Sequence, residues 1–239
     1  MADYNTMRTA QAGSRAAQID EGLRAHMNKV YGLMSIGMLV TGAVAYFVGN
    51  NEQLLTAIWG SGLKWVVMFA PLAVVFAFGA MLHRMSAATA QLVFFGYAAL
   101  MGLSISFIFA AYTGVSIAQT FLVTAIAFAG LSLYGYTTKR DLSAMGAFLM
   151  MGLIGLIVAS IVNIFLASSA MAFAISVIGV LIFAGLTAYD TQNIKNTYLQ
   201  LAQTDQDFLG KAAILGALQL YLDFLNMFMF LLQFLGNRE

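Results

Sequence analysis

Two carboxylates in this 239-residue chain stand where carboxylates are costly. Asp223 lies in the apolar run Leu218-Gln219-Leu220-Tyr221-Leu222-Asp223-Phe224-Leu225-Asn226-Met227-Phe228. That run begins near Ala212, so a helix here carries Asp223 to a depth of ~16 Å at 1.5 Å per residue. Its side chain is too short to reach a membrane surface, so it must face the protein interior, a wet cavity or a partner. Asn226, three residues on, shares its helical face. Asp190 follows another apolar run, in Gly185-Leu186-Thr187-Ala188-Tyr189-Asp190-Thr191-Gln192-Asn193-Ile194-Lys195, and is placed at the end of the helix before. A modest re-entry of that segment brings it to Asp223. Two carboxyls in one poorly solvated site cannot both ionise cheaply and titrate as a unit. A shared proton holds their helices together, and its loss pushes them apart. The plainer reading of Asp190 is a polar helix end in a wet interface. For Asp223 it is a structural hydrogen bond.

The elements that must position these groups are transmembrane helices. Of all residues 61% are hydrophobic and only 9% charged, against about 25% charged in soluble domains. Such a surface faces lipid, where every backbone polar group must be satisfied internally by helices or a closed barrel. Barrel strands would alternate over about ten residues. The runs here are long and unbroken: 30–48, 65–82, 88–112, 117–136, 144–166, 171–189 and 212–235. Each approaches the ~20 residues needed to cross a bilayer. The chain therefore divides into an N-terminal tail (1–28), a seven-helix domain (29–236) and a short C-terminal tail (237–239), with a polar loop over 191–211.

Charge sets the orientation. Arg8, Arg15, Arg24, Lys29, Arg84, Lys139, Arg140, Lys195 and Lys211 fall on one side if there are seven spans, leaving Lys64 and Arg238 for the other. The N-terminus is thus expected in the cytoplasm and the C-terminus on the far side. No cleaved leader is evident, and a bacterial inner (plasma) membrane is the natural location. Pro71 should kink or widen the second span. Arg84, at the cytoplasmic end of that span, is either a headgroup anchor or an inward countercharge to the aspartates.

Several functions are excluded by composition. Net charge of +1 suggests no nucleic-acid partner, and the absence of cysteine removes disulfides, thiolate metal sites and thiol catalysis. Two histidines, His26 and His83, are too few for the usual zinc site. Intramembrane aspartyl proteases carry Gly-x-Gly-Asp at the second aspartate, where this chain has Leu220-Tyr221-Leu222-Asp223. No enzyme and no cofactor are expected.

Tyr189-Asp190-Thr191-Gln192 with Ile194, followed by Leu222-Asp223-Phe224-Leu225-Asn226-Met227-Phe228, resembles the Bax inhibitor-1 (transmembrane Bax inhibitor motif) family. The likeness runs from about Asp20 to Gly236. It implies a seven-helix fold whose last helix is central and wrapped by the other six. It also implies a pH-sensitive calcium leak gated by a hydrogen-bonded pair, here Asp190 and Asp223. Tyr189, Gln192 and Asn226 would support that pair, and Arg84 would correspond to an arginine that latches to it. Calcium takes oxygen ligands, so the two aspartates would form a weak site, and a weak site suits permeation. The alternative is a multi-pass regulator that binds a membrane-bound protease or another quality-control partner, gripped through residues 1–28. Membrane lipids and calcium ions are the remaining expected partners.

Overall fold

The computed structural model describes the backbone of residues 2–202 and 205–237, and the side chains of 18–202, 205 and 208–237. The helices are α1 (Ala2–Gly49), α2 (Glu52–Trp59), α3 (Leu63–Met81, running into a 3₁₀ turn at Leu82–Arg84), α4 (Ala87–Ile105), α5 (Ile108–Ala111), α6 (Gly114–Thr137), α7 (Ser143–Leu166), α8 (Ser169–Leu201) and α9 (Gln206–Leu235). There is no strand among the described residues. Seven segments are long and apolar enough to cross a membrane: Gln18–Gly49, Leu63–Arg84, Ala87–Ala111, Gly114–Thr137, Ser143–Leu166, Ser169–Leu201 and Phe208–Leu235.

Helix starts are written in the sequence as caps. The side chains of Asn51, Ser86, Thr113, Ser168 and Asp205 each accept a hydrogen bond from the backbone N–H three residues on, satisfying a donor that the first turn leaves free. Asp141, just ahead of α7, accepts from Ser143 N–H at 2.9 Å; the Ser143 hydroxyl, and after it this N–H, hold its carboxyl below the usual carboxylate range. α7 ends on Ala167 in the left-handed region (φ 48°), which turns the chain directly into the Ser168 cap of α8.

Two boundaries differ from the sequence reading. α1 begins well before Val30: Leu23, His26 and Met27 are already buried, and the His26 ring lies 5.0 Å from that of Tyr198. The larger correction concerns the expected loop over 191–211. α8 continues to Leu201, so Asp190 sits within a helix rather than at its end. The polar stretch stays helical because its side chains are used on neighbouring backbone. Gln192 Nε2 donates to Arg140 O (2.8 Å) and its Oε1 accepts from Leu142 N–H (2.9 Å). Lys195 Nζ donates to Tyr136 O (2.7 Å). The tail expected to grip a partner includes residues 1–17, whose side chains lie outside the described residues, as does Arg238.

The last helix is central. α9 packs against α1, α4, α6 and α8, while α3 leans on α4 and α7 on α8. The wall touching α9 is thus chiefly four helices, with α3 and α7 outside. Ala213, Ala217, Leu220 and Tyr221 of α9 are fully buried. Without a hydrophobic driving force between helices in lipid, close backbone approach carries the packing. A Cβ at Gly135 of α6 would overlap the Ala188 carbonyl of α8, and one at Gly102 of α4 would press into Thr41 O of α1.

Pro71 leaves α3 continuous. Having no N–H, it strips the Val67 carbonyl of its intrahelical donor. Ser104 Oγ of α4 supplies the missing hydrogen bond, tying α3 to its neighbour.

Candidate functional site

α8 and α9 form the most extensive helix pair in the molecule, and they bring Asp190 and Asp223 together. The two carboxyls lie within side-chain hydrogen-bonding reach of each other, with no re-entrant segment needed. Asp223 is 4% exposed, near the middle of the span Phe208–Leu235. Its Oδ2 is buried and has no hydrogen-bond partner among the described residues.

Both aspartates line a cavity of ≈ 890 Å³. Its polar lining, besides the pair, is Tyr189 and Asn193 of α8, Gln219 and Asn226 of α9, Tyr97 and Ser104 of α4, and Ser160 of α7. Its apolar lining comes from all five helices, with α3 and α7 contributing Leu72, Val75, Leu153 and Ile157 among others. The titratable groups facing the pair are the two tyrosines; none of the lining residues is a lysine, arginine or histidine. Two negative charges there would find no protein cation, and like charges at close range disfavour double ionisation. A proton or an external cation must balance them.

The expected supporting residues divide. Tyr189 lines the cavity, its ring filling the space beside Gly146 of α7. Asn226 also lines it, with Nδ2 donating to Leu222 O of its own helix at 2.8 Å. Gln192 does not belong: both ends of its amide hold the backbone of residues 140 and 142. Arg84 is exposed at the end of the 3₁₀ turn and is not among the residues around the aspartates. In this structure it is a surface group. The two aspartates do not form part of a larger metal cluster, since no group of three His, Cys, Asp or Glu occurs among the described residues.

Asn193 and Gln219 were missed from sequence, although the signal was available. Asn193 lies three residues after Asp190 and Gln219 four before Asp223, the spacing that puts side chains on one helical face. Both also wall a smaller cavity of ≈ 90 Å³ that includes His26 and Thr197. His26 Nε2 is buried without a hydrogen-bond partner among the described residues.

A seven-span α-helical bundle with a carboxyl pair between its last two helices defines a multi-pass membrane protein. The family profile described as "inhibitor of apoptosis-promoting Bax1" matches residues 23–239, and the chain belongs to this Bax inhibitor-1 family. It is 47% identical to inner membrane protein YbhL of Escherichia coli K12, over 91% of this chain and 94% of YbhL. Identity is 46% to uncharacterized protein RP147 of Rickettsia prowazekii over the full length of both. With an uncharacterized membrane protein of Streptococcus pyogenes it is 36%, over 93% of this chain and 96% of the relative.

Proposed function

We propose that this protein is a pH-sensitive calcium leak channel in which Asp190 and Asp223 are both proton sensor and gate. The observation that supports it is the pairing of two carboxyls in a cavity inside the bundle with no protein cation beside them. With one proton between them, the carboxyls share a hydrogen bond and hold α8 against α9. When the proton leaves, repulsion between two carboxylates loosens that contact, and the same two charges attract a divalent cation. Two carboxylates with amide oxygens of Asn193, Gln219 or Asn226 make an oxygen-rich but incomplete calcium site, from which an ion can also depart. The leak therefore rises as pH rises through the titration of the pair and falls as the pair is protonated. We read the N-terminus as cytoplasmic in a bacterial inner membrane; the excess of lysine and arginine on the side of the α8–α9 turn supports the orientation, and the similarity to inner membrane protein YbhL supports the membrane.

The test is calcium flux into liposomes carrying the purified protein, between pH 5 and 8, for the wild type and for Asp223→Asn. A leak that grows with pH in the wild type and is flat in the variant supports the reading. Equal pH profiles reject the sensor, and no flux at any pH in folded protein rejects the channel.

A further inference from the structure

The cavity that holds the aspartates is open to the membrane from the side. α3 and α7, which flank it, each pack on a single neighbouring span, α4 and α8, and no appreciable packing joins one to the other. Several side chains lining the cavity are also exposed on the lipid-facing surface: Met68 and Leu72 on α3, Met150, Ile157 and Ile161 on α7. The same apolar groups thus form the inner wall and the outer rim. The cavity thus has its rim on the hydrocarbon side, between two greasy helices, and its lining includes two carboxyls, one with a buried oxygen lacking a partner among the described residues.

A ligand fitting this shape carries an apolar chain and one cationic, hydrogen-donating head. We infer that the cavity binds lipophilic amines from the membrane, with the ammonium on Asp190 and Asp223 and the alkyl chain between α3 and α7. The ammonium N–H satisfies Asp223 Oδ2 and supplies the positive charge that no lining residue provides. An ammonium–carboxylate hydrogen bond in a poorly solvated site is stronger than a neutral one, so the head discriminates against an uncharged alcohol of equal chain length. Such an amine competes with both proton and calcium, making this class an inhibitor of the leak. The inhibitory role rests on the proposed function; binding does not.

Protein in liposomes is treated with dicyclohexylcarbodiimide, an apolar carboxyl reagent, and the modified peptides are mapped by mass spectrometry. Labelling at Asp190 or Asp223 is expected. It is expected to fall several-fold with N,N-dimethyldodecylamine, a tertiary amine that cannot itself couple to the activated carboxyl, but not with dodecanol or trimethylamine. Ile157→Trp, at an exposed position on the rim, should lower labelling by narrowing the entrance. Absence of labelling in the wild type overturns lateral access. Equal protection by dodecanol overturns the ammonium contact, and equal protection by trimethylamine overturns the lipid route. Flux is not used in this readout. A protected pair without leak rejects the channel alone, and a pH-dependent leak without protection rejects the amine site alone.

Discussion

Polar groups are buried on two sides of α8–α9, and the two sides differ in how they are satisfied. Toward α1 and α6, hydroxyls form a complete chain. Thr191 Oγ1 donates to Thr187 O (2.7 Å), so its contact with Ser132 Oγ (2.9 Å) must be accepted. Ser132 therefore receives its hydrogen from Tyr31 OH (2.6 Å). Nearby, Tyr221 OH and Thr41 Oγ1 are 2.7 Å apart, and Thr41 also reaches Ala98 O (2.8 Å) and Gly37 O (3.0 Å). Toward α3 and α7, the carboxyl pair borders a cavity and Asp223 Oδ2 has no hydrogen-bond partner among the described residues. A satisfied network fixes a single packing arrangement, whereas an unsatisfied acceptor beside open space remains able to bind something. We read the hydroxyl network as scaffold and the carboxyl pair as the site of the proposed function; His26 Nε2, beside its own small cavity, lies outside that network.

The strongest test of that division is Asp223→Asn. The amide keeps the shape of the carboxyl and can always donate to Asp190, so the variant mimics the protonated pair at every pH. The expected outcome is a leak held at its acid-side level, with its pH response lost, in protein whose thermal unfolding changes little. A variant that unfolds early would show that Asp223 is scaffold too.

The candidate pair was legible because an aspartate in an apolar run has so few alternatives, and two such segments in consecutive spans specify each other. The central position of α9 rested on resemblance, and the packing of Ala213, Ala217 and Tyr221 bears it out. Hydropathy could not show that α8 continues to Leu201. It counts Gln192 and Lys195 as loop-like, while their partners, Arg140 O and Tyr136 O, are fixed only by the fold. Gln192 entered through the motif that carries the resemblance, and Asn193 was left out although it shares a helical face with Asp190. Arg84 was open to an anchor or a latch reading from its position at a helix end; its exposure favours the anchor.

α8 is the wall shared by both regions, and its seating on α6 can be disturbed without touching either polar group. Gly135→Val would force side-chain carbons against the Ala188 backbone, two residues before Asp190. Backbone has less freedom to yield than a flexible side chain, so the cost is expected near the top of the overpacking range, about 3 kcal/mol. The expected outcome is a marked drop in unfolding temperature in detergent, together with a weakened pH response as Asp190 moves from Asp223. An unchanged pH response would show that the pair does not depend on this close approach.

Ser104→Ala removes the donor to Val67 O at the edge of the cavity. A carbonyl left without a donor in a dry environment costs about 2 kcal/mol. The loss should largely vanish in a Pro71→Ala background, where residue 71 regains an N–H for the same carbonyl. A double-mutant cycle on unfolding in detergent measures that coupling. Additive effects would mean that Ser104 contributes through something other than the proline gap.

The smallest effect is expected where the network is complete. Tyr221→Phe deletes one hydroxyl but keeps the ring edge-on to Phe94 (5.7 Å) and Tyr97 (6.1 Å). Thr41 can still donate to Ala98 O, so the only loss is the hydrogen that Tyr221 gives to Thr41. Interhelical hydrogen bonds of this kind contribute about 0.6 kcal/mol, small enough for the fold to absorb. The pH profile of the leak should match the wild type, even though Tyr221 lies only two residues from Asp223 and its ring packs edge-on to Tyr97 of the cavity lining. A shifted profile would mean that the hydroxyl network and the carboxyl pair respond as one system, and the line between scaffold and site would have to be redrawn through α9 itself.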